Sequence, residues 1–462
     1  MQSWSPDLSS YPGPKYQAIA AALLRDIERG LLSSGDRLPP QRTLADTLSV
    51  DLTTVTKAYN EVRKLGLIEG SGSRGSFVRS AAVPPVPEAA VATIETGMNL
   101  PPEPVGGSLA GCIREGIAAF LASPAALAKL QYQPSGGALA ERAAAAAFLQ
   151  ARGIDAPEDL VLVTSGSQNA LHGIVSTALE PGDAVATGAY VYPGFLSVAR
   201  RYGVEPVAIE TDDEGLVPGA LKAACRRRRI KAVYVVPTND NPTASTMQAA
   251  RRRALAEVAS QEGLEIIEDD AYGLLPSVPL SPIACEAPER TWHISSFSKI
   301  VSPALRVAYV RVPSARKAWR LAADLHETAI MAPPLSAALV TRWTQDGQLP
   351  RLVAEIRDEA VARQQLAREI LGGADYSCHP EGYHFWLPLP AGTSPSYLVD
   401  TLRPIGLSVV PSDVFAVEPK QAAPALRVSI GGSISRERLA RALSMLDALL
   451  AHGSRFRKSG IV

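Results

Sequence analysis

Residues 264–272 read LEIIEDDAY, and residues 295–306 read SSFSKIVSPALR. The first is a short apolar run that ends in two carboxylates, Asp269 and Asp270, with Tyr272 three residues beyond Asp269. A run of that length, ended by polar residues, predicts a buried strand. A carboxylate at the C-terminal end of a parallel strand faces the crevice in which such sheets bind their ligands. The second stretch sets Lys299 among small hydroxyl residues, with Arg306 seven positions on. A lysine shielded from water shifts its pKa and can form a Schiff base.

The flanking chain extends this pattern. KAVYVV (231–236) runs into the polar turn TNDNPT (238–243), and LVLV (160–163) runs into TSGSQNAL (164–171), which opens a helix. Small residues ahead of a helix let its N–H groups and dipole meet an anion. AVA (184–186), TWHI (291–294) and LRVAYV (305–310) are further apolar runs with helical stretches between several of them. That rhythm predicts an α/β unit, a mostly parallel sheet wrapped by helices. After about residue 325 it changes. Long helical segments, roughly 335–372 and 434–451, bracket YHFWLPL, LSVVP and ALRVSI, which predicts a smaller α+β domain over 326–462 beside a large one over 95–325.

Upstream, AAVPPVPEAAVAT (81–93) is rich in Pro and Ala and has no period, so 81–94 reads as a linker. Residues 1–80 form a separate block. Tyr16, Ile19, Leu23, Ile27 and Leu31 make one apolar helical stripe, Gln41–Leu48 a short second helix, and about Leu52 to Leu65 a third, with Asp51 as its N-cap. Val55, Ala58, Tyr59 and Val62 face inward on the third helix; Thr53, Thr54, Lys57, Asn60 and Lys64 face outward. LIEGSGSRGSFVRS then reads as two short strands with Arg74 at the turn. Two linked helices followed by a wing suit DNA, because a split helix can enter the major groove with its polar face. A protein-interaction domain would show the same charge and period.

The 462 residues carry 46 Lys+Arg against 46 Asp+Glu, which excludes a globally basic nucleic-acid coat and a polyacidic tail protein. Residues 1–80 hold ten Lys/Arg against eight Asp/Glu, so DNA affinity there would need focused contacts. No run approaches the ~18 apolar residues of a membrane span. MQSWSPDLSSYPGPKYQ lacks the basic-then-apolar order of a secretory signal, so a cytoplasmic protein is expected. Cys112, Cys225, Cys285 and Cys378 are far apart, and His379 and His384 lack metal-ligand companions; no metal is expected. Arg226–Arg229 reads as a solvated helix face.

Residues 16–79 resemble the GntR-type winged helix-turn-helix throughout. SGDRLPPQRTLADTL is similar to that family's L-P-S-x-R-x-L-A element, and TTVTKAYNEVRKLGLIEGSGSRGSFV to its recognition helix and wing. The resemblance implies contacts to double-stranded promoter DNA from Arg37, Arg42, Thr53, Thr54, Lys57, Arg74 and Gly75. Many relatives have Ser-Arg where this chain has Asp51-Leu52, so one phosphate-contacting arginine is missing.

The remainder, roughly 95–462, resembles the fold-type-I, aspartate-aminotransferase-like proteins that bind pyridoxal 5′-phosphate (PLP). The resemblance implies that Lys299 forms an internal aldimine with the cofactor and that Asp269 holds the pyridine nitrogen protonated. It implies that Asn241 and Tyr272 bond the phenolate oxygen, that Tyr192 stacks on the ring, and that Ser167, Gln168, Ser296 and Arg306 bind phosphate. Tyr132, in QYQPSGG, matches a tyrosine that reaches the partner subunit's site; Arg427, in LRVSIGG, matches the arginine that grips an amino-acid carboxylate. Singly, these residues have ordinary readings: Asp269 as a helix cap, Tyr192 as core, Arg427 as a surface ion pair. Ala244 and Ala304 stand where the family usually has glycine.

The two resemblances in this order, joined by a linker, are the MocR plan of bacterial regulators. It implies a PLP-binding transcription factor, a head-to-tail homodimer, that senses PLP or a small amine or amino-acid effector through Lys299. Residual transaminase turnover stays open. So does the alternative, a PLP-dependent aminotransferase with an accessory N-terminal domain.

Overall fold

The structure, a computed structural model, describes residues 4–6, 8, 14–28, 31–32, 35–64, 67–70, 75–78, 97–390 and 392–455. The chain divides into two units, Met1–Ile94 and Glu95–Val462. The expected linker 81–94 and Arg74 lie outside the described residues.

In the first unit, α1 (Lys15–Glu28), α2 (Gln41–Leu48) and α3 (Leu52–Lys64) precede β1 (Ile68–Gly70) and β2 (Ser76–Val78). The expected inward face of α3 is buried: Val55, Ala58, Tyr59 and Val62 pack with Ile19, Leu23, Leu38 and Leu44. The α1 stripe is shorter than expected. The chain turns as the N–H groups of Leu31 and Leu32 both donate to Asp26 O, so Leu31 is 70% exposed and Leu32 enters the core instead. At the junction of α2 and α3, Ser49 takes φ +48° and the Asp51 carboxylate accepts from both the N–H and the hydroxyl of Thr53. β1 and β2 pair antiparallel, Ile68 opposite Val78. A third segment not foreseen from sequence joins them, with Leu38 N–H donating to Ser76 O and Val78 N–H to Asp36 O, each at 2.9 Å.

The second unit is built on β3 (Val161–Thr164), β4 (Ala184–Thr187), β5 (Glu205–Ala208), the hairpin β6 (Thr211–Asp212) and β7 (Gly215–Leu216), β8 (Ile230–Val235), β9 (Glu265–Asp269), β10 (Thr291–Ser296) and β11 (Ala308–Arg311). Seven of these form one sheet in the order β3-β11-β10-β9-β8-β4-β5. Only β11 runs against its neighbours. Both faces are covered, which is why β3, β4, β9 and β10 read as unbroken apolar runs. The edge strand β5, EPVA, is half-exposed and carries no such run. Beyond it, β12 (Ser377–Cys378), β13 (His384–Pro388), β14 (Ser408–Pro411) and β15 (Ala425–Ser429) form an antiparallel sheet in the order β12-β13-β15-β14.

Two expectations change. The 335–372 segment is two helices, Pro334–Gln345 and Gln348–Ile370, parted where Gly347 takes φ +80° and Asp346 Oδ1 accepts from Gln348 N–H. The helix Ala315–Ala329 runs through the boundary drawn at 325/326, and one hydrophobic cluster takes in Leu162, Trp292, Trp343, Phe385 and Leu443 from both sides of it.

Candidate functional site

The parallel strands deliver their C-terminal ends to one edge of the sheet, and the singled-out segments leave from there: 165–168 after β3, 188–192 after β4, 238–243 after β8, 269–272 at the end of β9 and 296–299 at the end of β10. Strand alternation then sorts the carboxylates. Asp269 accepts from Tyr234 Oη at 3.0 Å, while its Oδ1 is buried with no hydrogen-bond partner among the described residues. Glu268 and Asp270 take the other face. Glu268 accepts from the N–H groups of Ile283 and Ala284 and bonds His293; Asp270 pairs with Arg152 at 2.7 Å. Burial would raise both aspartates. Arg152 and His293 hold Asp270 below its ordinary value, but Asp269, with only Tyr234 and more distant cations to offset burial, is pushed up to about 6.

Lys299 lies within electrostatic reach of Asp269, Arg306 and Arg427. Burial first, then the Arg427 charge, lower its amine to about 8. Its Nζ donates to the carbonyl of Asn99 at 2.6 Å. Tyr272 Oη accepts from Asn99 Nδ2 at 2.9 Å, and Asn241 Oδ1 accepts from Arg427 at 3.4 Å. Arg427 is 1% exposed, lies over the Phe415 ring and donates to the carbonyl of Gly97. It is no surface ion pair.

At the other side, the helix Gly166–Ala178 begins with Ser167 and Gln168 in its first turn. Arg306, at φ +49°, donates to Ser165 O and lies so close over Gly166 that a Cβ there would sit 2.8 Å from its guanidinium. Tyr192 is half-buried, its hydroxyl donating to Gln168 Oε1 at 3.4 Å, and Ser296 is buried at the end of β10. Gly194 is required beside Tyr192, because a Cβ there would fall 2.3 Å from the ring. Tyr132 stands apart, 81% exposed. Of the departures from glycine, Ala244 has a left-handed backbone, φ +59°.

Asn99, Tyr234, Tyr383 and His384 were not foreseen as site residues. Asn99 gives no motif, standing alone in GMNLPP. His384 looked only like a histidine without metal companions. It is bonded to Asn99 Nδ2 through Nδ1 and to Asp240 O through Nε2, which fixes it as the neutral Nε2–H tautomer, and burial, against the bond to Asp240 O, lowers it to about 3. No metal-binding cluster occurs among the described residues.

In the first unit, Arg42, Thr53 and Lys57 are exposed and Thr54 is half-exposed. Lys57 Nζ sits 3.9 Å over the Tyr16 ring. Thr53 spends its hydroxyl hydrogen on Asp51, which is thereby held below its ordinary pKa. Gly75, φ +110°, packs against the exposed Arg37. The Arg226–Arg229 run is exposed, with Arg228 paired to Glu205.

A buried lysine and a helix N-terminus with an arginine beside it, at the carboxyl edge of a seven-stranded sheet, in a chain that also carries a separate winged three-helix unit, define a fused DNA-reader and aminotransferase-like protein. The chain matches Aminotransferase class I and II over residues 116–446 and Bacterial regulatory proteins, gntR family, over residues 15–78, and it belongs to the GntR-type regulators that carry an aminotransferase-like domain. It is 31% identical over 458 residues to the uncharacterized HTH-type transcriptional regulator YdeF of Bacillus subtilis, covering 97% of each chain. It is 27% identical over 383 residues to the vitamin B6 salvage pathway transcriptional repressor PtsJ of Salmonella typhimurium, covering 82% of this chain and 86% of the relative. The kynurenine aminotransferase of Pyrococcus horikoshii shares the fold of the second unit at a TM-score of 0.70 and 24% identity, covering 79% of this chain and 92% of that one. Among the described residues no helix is long and apolar enough to cross a membrane.

Proposed function

We propose that the chain is a cytoplasmic, PLP-responsive transcription regulator whose N-terminal block, 1–80, reads promoter DNA and whose body, 95–462, holds PLP at Lys299. A small amine or amino acid is the effector. One observation carries this reading: a lowered lysine amine, a buried carboxylate with an orphaned oxygen, and a helix N-terminus with an arginine over its first glycine occur in a chain that also carries a DNA-reading module. The donor set fits the cofactor part by part. Asp269 Oδ1 suits a protonated ring nitrogen, the Gly166–Arg306 cradle a phosphate, and Lys299 an aldehyde. The B6-linked description of the Salmonella relative points the same way.

PLP, when bound, supplies an aldehyde that takes up primary amines and a ring that withdraws electrons. The chain's own groups do the rest. Lys299 offers a neutral amine near pH 8. Asp269 keeps a proton at the ring nitrogen; Asn241 and Tyr272 bond the phenolate oxygen; Tyr192 covers the ring. Ser167, Gln168, Ser296 and Arg306 hold the phosphate, and Arg427 takes an effector carboxylate. Tyr132, exposed in one chain, serves the partner's site in a head-to-tail homodimer. Arg37, Arg42, Thr53, Thr54, Lys57, Arg74 and Gly75 contact DNA.

The test is DNA retention by wild type and Lys299→Ala, with and without PLP and a panel of amines. Identical responses in the two proteins would remove Lys299 chemistry from the regulation. Steady turnover of amino acids to keto acids that survives deletion of residues 1–80 would favour the aminotransferase instead.

A further inference from the structure

The Tyr272 hydroxyl lies where distant parts of the body meet. Tyr272 follows β9, His384 opens β13, Ser429 closes β15, and Asn99 reaches all three from the start of the body. Asn99 is 2% exposed, and Tyr272 and His384 are as deeply buried. The bonds allow the Asn99 amide one orientation. Its Oδ1 accepts from the Ser429 hydroxyl, so Nδ2 is the end that faces the two rings. The two hydrogens of Nδ2 go to Tyr272 Oη at 2.9 Å and to His384 Nδ1 at 3.0 Å. His384 is free to accept at Nδ1 because its other nitrogen, Nε2, gives its hydrogen to the carbonyl of Asp240 at 2.9 Å. Tyr272 is therefore an acceptor toward Asn99, and its own hydrogen is left to give. Tyr383, whose ring centroid lies 5.9 Å from that of Tyr272, spends its hydrogen on the carbonyl of Lys299.

We propose that Asn99 is a positioning residue for Tyr272: its amide, fixed between Ser429 and His384, occupies the acceptor side of the Tyr272 hydroxyl and reserves the hydroxyl hydrogen for the phenolate oxygen of the cofactor. The proposal rests on the PLP-binding reading above. Two effects act together. A hydroxyl that accepts one hydrogen bond is polarised into a stronger donor for the next. The amide also stands between Tyr272 and His384 Nδ1, a buried acceptor that competes for the Tyr272 hydrogen once Asn99 no longer fills it. Burial raises the Tyr272 phenol, and the Asn99 bond opposes that rise. Arg427, Tyr192 and Asp269 also face Tyr272; Arg427, Lys299 and His379 face His384; Asp269, Arg306 and Arg427 face Lys299. All of these side chains remain when the Asn99 side chain is truncated, and so does the Asn99 carbonyl that accepts from Lys299.

The visible absorption of PLP joined to Lys299 reports whether the joined nitrogen carries its proton. The negative phenolate oxygen favours that proton, and a hydrogen bond given to the oxygen weakens the pull. The experiment titrates this absorption with pH in the full-length, PLP-loaded protein. It compares wild type, Asn99→Ala, Ser429→Ala, Tyr272→Phe and the double variant of Asn99→Ala with Tyr272→Phe. Ser429→Ala releases the Asn99 amide from its orientation and carries the test if Asn99→Ala fails to fold. The expected result is a midpoint raised by about 0.4–1 pH unit in Asn99→Ala, the size of one net hydrogen bond, and raised in the same direction in Ser429→Ala. Adding Asn99→Ala to Tyr272→Phe should raise it no further, because substitutions that act through one group do not add. A midpoint unmoved in Asn99→Ala, or in Ser429→Ala should Asn99→Ala not fold, overturns the positioning role and leaves the PLP-binding reading intact. A rise just as large without the Tyr272 hydroxyl overturns it too, since Asn99 would then reach the lysine by another route. A wild type that gains no visible absorption with PLP overturns both.

Discussion

Tyr234 Oη donates to Oδ2 of Asp269 at 3.0 Å, so the carboxylate's orientation is set before any ligand arrives. Tyr234 is itself fixed, stacked on Phe195 with ring centroids 4.0 Å apart and planes 7° from parallel. Phe195 belongs to the helix Pro193–Tyr202, which Tyr192 precedes as N-cap. The residue proposed to cover the ring and the residue proposed to hold its nitrogen are thus braced by one stacked pair.

Replacing that carboxylate by an amide keeps its shape and removes its charge. Hydrogen bonds to charged groups contribute about 1.5–3 kcal/mol. Asp269→Asn is therefore expected to weaken PLP binding by about tenfold to hundredfold, read by absorbance titration. Unchanged affinity would detach Asp269 from the ring nitrogen.

Lys299 should show its lowered pKa in kinetics and in stability. Only the neutral amine attacks an aldehyde, so the rate of condensation with PLP should reach half its plateau near pH 8 rather than near the ordinary lysine value of 10.5. The linkage has a definite sign. The folded chain gives up this proton near pH 8 and the unfolded chain near 10.5, so between those values the unfolded state binds more protons. The contribution of Lys299 to stability therefore rises with pH across that window. Lys299→Met should remove that rise from denaturant titrations of the cofactor-free protein.

The phosphate end of the site depends on a residue without a side chain. A Cβ at Gly166 would meet the Arg306 guanidinium at 2.8 Å, and the φ of +80° is unfavourable to any other residue. Gly166→Ala is expected to cost about 1–2 kcal/mol of stability through the left-handed backbone and to displace Arg306. PLP affinity should fall about tenfold or more, because a charged hydrogen bond of the kind Arg306 offers is worth about 1.5–3 kcal/mol. Pyridoxal, which lacks the phosphate, should bind the variant and wild type alike. An equal loss for both compounds would show that the substitution disturbs more than the anion cradle.

Much of this was legible in the sequence because the chemistry sits at strand ends, where a buried apolar run stops at a polar residue. Asp269 could be placed for that reason, Ser296 and Asn241 through the family resemblance, and the inward face of α3 by its period. Tyr234 was hidden because a tyrosine inside KAVYVV looks like any core residue until its hydroxyl partner is known. Asn99 was hidden because its partners, Tyr272, Lys299, His384 and Ser429, come from distant parts of the chain, and no local pattern records such a meeting. Leu31 misled because its spacing continued the α1 stripe past a turn that Asp26 closes.

On the DNA side, Lys57 heads the outward face of α3, with Tyr16 beneath its ammonium. If Lys57 meets a phosphate, Lys57→Ala should weaken binding about equally for all sequences and lower the salt slope of log K by about 0.9. Binding measured across a series of salt concentrations separates this from a base contact, which would alter sequence preference and leave the slope as it was.

Arg427 is the residue proposed to select amines that carry a carboxylate. It is a buried residue of β15 with its guanidinium carbon 5.5 Å from the Phe415 ring centroid, and it donates to Asn241 Oδ1 and Gly97 O. A carboxylate arriving there replaces a carbonyl with a charged, bidentate acceptor, which the planar guanidinium grips better than any lysine could. Arg427→Lys should therefore lose about tenfold to hundredfold in the concentration dependence of the response to amino acids, the span expected for one charged hydrogen bond. The response to primary amines without a carboxylate should stay within about threefold of wild type, below the span of one charged hydrogen bond. The two dose–response curves can be read from the visible absorption change of the PLP-loaded protein, independently of DNA. Equal shifts for both ligand classes would mean that Arg427 supports the fold of the site and does not select its ligand.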